Sequence, residues 1–175
     1  MTLLELVNIL LASGTVLSQV FIVLALIYTF SPLRKEIFAN YFSKNGIALA
    51  FGVALVATCG SLFYSTYAGF VPCPLCWFQR IFMYPEVIIL GLALIKSDNK
   101  VTDYVLSLSV IGWIISVYHN IIYFSSLRSV VCTSAESCTT PYLTEFGYVT
   151  IPVMALTAFS LVILILIFQK YGKRF

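Results

Sequence analysis

Residues 149–168 read VTIPVMALTAFSLVILILIF, a run of 20 residues with no charged side chain. At about 1.5 Å rise per residue, such a helix crosses a hydrocarbon core of roughly 30 Å. Backbone polar groups find no water there, so they must be satisfied within the segment, which means a helix. Four more apolar stretches carry the same reading: Leu3–Phe30, Gly46–Gly69, Trp77–Ile95 and Tyr104–Phe124. Trp77–Ile95 is near the short limit, and Leu3–Phe30 is long enough to tilt. None shows the ten-residue alternation of a barrel strand. Leu3–Phe30 lacks a basic leader, carries Glu5 and is too long for a signal core, so it is kept as a helix. The 175 residues are 61% hydrophobic and 10% charged, whereas soluble domains are about 25% charged. A water-soluble globule is excluded, and a net charge of +3 leaves no basic surface for nucleic acid. The expectation is an all-α integral membrane protein, one membrane domain spanning residues 1–175.

The loops orient it. Arg34, Lys35 and Lys44 lie between the first two stretches, Lys96 and Lys100 between the third and fourth, and Lys170, Lys173 and Arg174 after the fifth. Placing these segments in the cytoplasm puts eight of the ten basic residues inside, with Arg80 and Arg128 as the exceptions. The N-terminus is then outside and the C-terminus inside. Cys73 and Cys76 fall in the outer connection 70–76, and Cys132 and Cys138 in the outer loop 125–148. Cys59 lies within the second stretch and reads as a small buried apolar residue.

Four of the five cysteines therefore face the oxidising side, where disulfides persist. Three pairings are open, and the short spacings favour Cys73–Cys76 and Cys132–Cys138. A disulfide closing so short a loop removes little chain entropy, so it is a poor staple; tight, exposed disulfides tend to be redox-active. A structural clip for Cys132–Cys138 and a structural or metal site for Cys73–Cys76 are the competing readings.

Pro72 and Pro74 keep Val71 and Cys73 out of helical geometry. Pro74 suits the first helical position, which puts Cys76 in the first turn, where the helix dipole favours a thiolate. Arg80 lies one turn further on the same face, and its charge would lower the Cys76 pKa. A cation at that depth is either functional or snorkelling to the headgroups. His119, the only histidine, sits at comparable depth in the fourth stretch. Oxidising two thiols releases two electrons and two protons, which need an acceptor. The sequence has no haem signature, no dinucleotide fingerprint and no cluster of iron–sulfur ligands. A membrane quinone remains, a carrier needing only an apolar slot with a few polar groups, which Arg80 and His119 could supply.

The run Cys73-Pro74-Leu75-Cys76-Trp77-Phe78-Gln79-Arg80-Ile81-Phe82-Met83-Tyr84-Pro85 closely resembles the first redox motif of the DsbB/BdbC disulfide bond formation proteins. His119, Cys132, Cys138 and Phe146-Gly147-Tyr148-Val149-Thr150-Ile151-Pro152 follow in the expected order. The resemblance runs from about Leu49 to the C-terminus and is nearest the compact BdbC-like branch. It implies a DsbB-like four-helix transmembrane bundle in a bacterial cell (inner) membrane, with Leu3–Phe30 as one additional N-terminal transmembrane helix. It also implies a protein-disulfide:quinone oxidoreductase. A DsbA-like thiol oxidase of thioredoxin fold would attack the Cys132–Cys138 disulfide at Cys132. The electrons would pass to Cys73–Cys76, and Cys76 would hand them to ubiquinone or menaquinone, flanked by Arg80 and His119.

The remaining features are less directed. Leu3–Phe30 reads equally as a partner-helix contact or a lipid anchor, with Ser18 and Gln19 available to hydrogen-bond a neighbour. Glu86 is an intramembrane carboxylate, either on a proton path or simply hydrogen-bonded inside the bundle. Tyr64, Tyr67, Trp77, Tyr123 and Tyr148 read as an outer aromatic belt. Thr140-Pro141 before Tyr142, Leu143 and Phe146 suggests a short interfacial turn. Three alternatives stand against the thiol oxidase. A metal-binding or transport protein with four thiolate ligands would lack an accompanying histidine or carboxylate cluster and be opposed by Arg80. A vitamin K epoxide reductase-type enzyme has its cysteine pairs in the reverse order. A subunit with clipped loops would have no redox role.

Overall fold

The computed structural model describes residues 2–30, 35–125, 132 and 138–171. Five long helices make up most of it: α1 (Leu3–Phe30), α2 (Lys35–Thr66), α3 (Pro74–Lys96), α4 (Thr102–Ser125) and α5 (Ile151–Tyr171). All five are long and apolar enough to cross a bilayer, so this is an all-α, multi-pass membrane protein. Among the described residues the only bridge between extended segments is the isolated pair Glu145 and Val149. Arg34, Arg128, Lys173 and Arg174, four of the ten basic residues used to orient the chain, lie outside the described residues.

The helix ends depart from the apolar stretches for local reasons. α2 starts at Lys35, well before Gly46, because a helix entering a membrane can continue beyond its apolar part. At its other end, the Ala68 N–H returns to the Phe63 carbonyl and the Phe70 N–H to that of Tyr64. Gly69 at φ +70° makes the reversal, a conformation that costs a residue with a Cβ about 1–2 kcal/mol. α3 begins earlier than its apolar stretch, at Pro74, with Cys73 as its N-cap. It ends with Ser97 in the left-handed region at φ 51°.

α5 is the centre of the bundle, packed against α1, α2 and α4, while α3 bridges α2 and α4. The core between them is built from Ala50, Ala54, Met83, Leu90, Val105, Phe159, Val162 and Leu166. Lipid is as apolar as these side chains, so association depends on close packing and interhelical hydrogen bonds. Gly112 shows the first: a Cβ there would lie 2.3 Å from the Phe159 ring. Asn120 shows the second, donating through Nδ2 to the Pro152 carbonyl at 2.9 Å. α1 leans on α5, where Gln19 donates to Thr157 Oγ1 at 3.1 Å and accepts from the Tyr148 hydroxyl at 2.7 Å. Its opposite face, including Leu17 and Leu24, is exposed to lipid.

Candidate functional site

The two cysteine pairs meet at one end of the bundle. Cys73 and Cys138 are both buried, in one apolar cluster with Leu75 and Ile122, and Cys76 and Cys132 pack against it. Cys132 and Cys138 form a disulfide; Cys73 and Cys76 are thiols with their sulfurs 3.0 Å apart. Pro74 fixes this geometry by starting α3 directly after Cys73.

Donors converge on Cys73. The Cys76 backbone N–H points at its sulfur from 3.4 Å, and His119 Nε2 lies 3.7 Å away. The same Nε2 is 3.4 Å from the Cys138 carbonyl, which can only accept, so Nε2 carries a hydrogen. On the far side of the ring, Gln79 Nε2 is 3.3 Å from Nδ1, and the amide donates to it. The Cys76 thiol hydrogen bond holds the Cys73 thiol down at about 4, against burial and with the aid of His119. Sequence reasoning placed the thiolate on Cys76, with Arg80 lowering its pKa; the hydrogen bonds instead place it on the N-cap, Cys73. The local sequence does not reveal this, because the Cys76 donors act together with His119 of α4.

Arg80 is on the face of α3 turned toward α2. Its Nε donates to Ser61 Oγ at 2.9 Å and its Nη2 to the Ser61 carbonyl at 3.0 Å, while the Tyr84 hydroxyl also reaches Ser61 Oγ at 3.4 Å. The guanidinium lies 5.2 Å from the centre of the Trp77 ring. Arg80, His119, Cys73, Cys76 and Cys138 all line one cavity of about 550 Å³, bounded by α1, α2 and α5 and mostly apolar. That size and lining suit a small organic molecule.

Several expectations change here. Tyr64 is not part of an outer belt: it is 5% exposed, lines the cavity and stacks on Phe70 at 5.7 Å. Phe70 in turn stacks on Tyr142 at 4.8 Å, so the connection folds back over the Tyr64 ring. Tyr67, Trp77 and Tyr148 are exposed, as a belt requires. Cys59 is exposed on α2, not buried. Glu86 is fully buried between α3 and α4, accepting from Ser109 Oγ at 2.9 Å, and is not among the cavity-lining residues. The turn after Thr140-Pro141 is the tight reversal at Phe146 and Gly147, both at positive φ. A histidine does accompany the thiols: Cys73, Cys76 and His119 present ligand atoms within 4.8 Å of one another. Sequence reasoning missed Gln79 and Ser61. Gln79 had a signal, as a polar residue in an apolar stretch three positions after Cys76; Ser61 had none.

Comparison with known proteins gives a consistent result. The family model described as "Disulfide bond formation protein DsbB" matches residues 43–169. Disulfide bond formation protein C of Bacillus subtilis (strain 168) is 42% identical over 137 residues, covering 74% of this chain and 98% of that protein. The probable disulfide formation protein of Oceanobacillus iheyensis is 38% identical, covering 75% of this chain and 94% of its own. The SPbeta prophage-derived disulfide bond formation protein B of Bacillus subtilis is 42% identical over 120 residues, covering 68% and 81%. No solved structure matches the chain significantly. α1 lies outside the matched family region.

Proposed function

The chain belongs to the DsbB family of disulfide bond formation proteins, and from that membership we propose that it reoxidises a DsbA-like partner at the expense of a membrane quinone. Family membership and the Cys73–Cys76 pair support a thiol oxidoreductase. The observation that carries the finer reading is His119, which reaches the sulfur of one pair and the backbone of the other, above a cavity that also holds Arg80.

The partner's thiolate attacks the Cys132–Cys138 disulfide, with Cys132, the less buried of the two, as the point of attack. Displacement of the mixed disulfide leaves Cys132 and Cys138 as thiols and the partner oxidised. Their thiolates then reduce the Cys73–Cys76 disulfide by the same exchange. A quinone bound in the cavity would supply the chemistry of a two-electron, two-proton acceptor. Closure of the Cys73–Cys76 bond supplies both electrons. Cys73 and Cys76, with sulfurs 3.0 Å apart, would give up two electrons and two protons to that acceptor as their S–S bond forms. The donor set fits this acceptor: Arg80 N–H groups and His119 border an apolar slot. The cysteine end of the bundle is assigned to the extracytoplasmic face, with N-terminus outside and C-terminus inside, on the positive-inside count.

Anaerobic mixing of reduced partner, purified protein and quinone tests the reading through quinone absorbance. Stoichiometric quinol is expected, and none with Cys73→Ala; quinol formation by Cys73→Ala protein would overturn it. A metal site is the second reading, favoured by the Cys73, Cys76 and His119 cluster. Metal analysis of purified protein separates the two, since stoichiometric zinc or copper on reduced thiols would favour the metal.

A further inference from the structure

The cavity does not stop at the redox cluster. It follows α2 from Ser65 to Ala48, a distance of about 25 Å at the helical rise per residue. α1, the helix outside the family region, forms one of its walls through Leu10, Leu11, Gly14, Thr15 and Ser18. α1 meets α2 at two levels: Leu11 lies against Gly60, and Phe21 against Phe42 with ring centres 6.1 Å apart. Between those levels Gly14 and Gly52 both line the cavity, and a Cβ on either would meet nothing within 4 Å. The space is thus kept open by two missing side chains, one on each helix.

The end near the cysteines is polar in a specific way. Tyr64 and Thr150 line the cavity, and both residues are more than nine-tenths buried. The Tyr64 hydroxyl and Thr150 Oγ1 have no hydrogen-bond partner among the described residues. A buried hydroxyl without a partner costs about 1–3 kcal/mol, so two such residues in the wall of one cavity favour a ligand that brings hydrogen-bonding groups to that end.

We propose that α1 completes a binding slot for the isoprenoid tail of a lipid quinone, with the ring at the end of the cavity lined by Arg80, His119, Tyr64 and Thr150 and the tail passing between Gly14 and Gly52 toward the bilayer. This rests on the quinone reading above. The additional helix is then part of the acceptor site: it covers the side of the slot that α2 and α5 would otherwise leave to lipid. The tail gains little hydrophobic energy on leaving the bilayer, so the slot selects it by shape.

The test uses full-length protein in nanodiscs, with benzoquinone and naphthoquinone rings, each with and without a short isoprenoid tail. Binding is read without turnover, by quenching of tryptophan fluorescence. Gly14→Leu and Gly52→Leu fill the slot, and each should weaken the tailed quinones about tenfold relative to the tail-less rings. Leu17→Phe, on the lipid face of α1, should leave that ratio unchanged. A quinone with a photoreactive group on its tail should crosslink to residues 10–18 of α1 and 48–56 of α2. Unchanged ratios in both leucine variants, or crosslinks confined to α3 and α4, would overturn the tail slot while leaving the quinone reading intact. If no quinone binds the unaltered protein, both fall.

Discussion

In the reduced protein, a thiolate at Cys73 should survive into acid. The Cys73 thiol is held down at about 4, first by the Cys76 thiol and then by His119, both donating to its sulfur. At pH 6 a thiol held that far down is mostly ionised, whereas an ordinary cysteine, near 8.5, is under about 1%. Replacing Cys59, Cys132 and Cys138 with alanine leaves the two relevant thiols, and ultraviolet thiolate absorbance then follows them alone. One thiolate should persist down to about pH 4. Cys76→Ala removes the largest donor. A hydrogen bond to a charged group contributes about 1.5–3 kcal/mol, so the midpoint should rise by about 1–2 pH units. The stability effect has a definite sign. Because the folded value lies below the ordinary one, the unfolded chain binds the extra proton between about pH 4 and the usual cysteine range. Stability of the reduced form should therefore rise with pH across that window and be lost as pH falls through about 4. A midpoint near 8.5, or one unmoved by Cys76→Ala, would refute the assignment of the charge to Cys73.

Arg80→Ala should raise the apparent quinone KM about tenfold while changing disulfide exchange with the partner much less; equal effects on both would contradict an acceptor-side role. Gln79→Leu leaves the Nδ1 of His119 without its donor. Turnover should fall with an altered pH profile, and Gln79→Asn, if it still reaches the ring, should restore part of it; a flat response in both variants would make Gln79 mere packing. Glu86→Gln keeps the oxygen that accepts from Ser109 but cannot ionise. Turnover should be unchanged, and a large loss would return Glu86 to a proton path. Ser97→Gly should stabilise the fold by about 1 kcal/mol, seen as a higher melting temperature, because Ser97 occupies the left-handed region.

The five helices were legible because a bilayer imposes a requirement that any sequence reader can check: long apolar runs whose backbone closes on itself. Helix ends were less so. Nothing in lipid chemistry forces α2 to stop at Gly46, and it continues back to Lys35. The N-cap at Cys73 was legible from two prolines, since their effect on the backbone is local. The distribution of charge within the pair was not, because it depends on which cysteine donates to the other and on a histidine 46 positions away. The hydrogen-bonding capacity of Gln19 was visible, but its partners on α5 and before it were a matter of packing. Tyr64 was misread for a related reason. An aromatic residue near the end of a span is normally at the headgroups, and only the return of Phe70 over its ring puts it inside.

Placing the charge on Cys73 has consequences for both halves of the relay. A stabilised thiolate favours the reduced form of the Cys73–Cys76 pair, which makes the disulfide form a stronger oxidant toward the loop pair. The same stabilisation makes the reduced pair a weaker donor, so the second transfer needs help on the acceptor side. Arg80, anchored on Ser61 at the cavity wall, is placed to give that help without touching Cys73. His119 differs, because it touches both Cys73 and the Cys138 carbonyl. Its removal would raise the Cys73 pKa and release the loop at once, so His119→Ala should slow exchange with the partner as well as quinone reduction. The two residues the sequence paired as flanks of one acceptor are therefore separable: an Arg80 variant should act on one half-reaction, and a His119 variant on both.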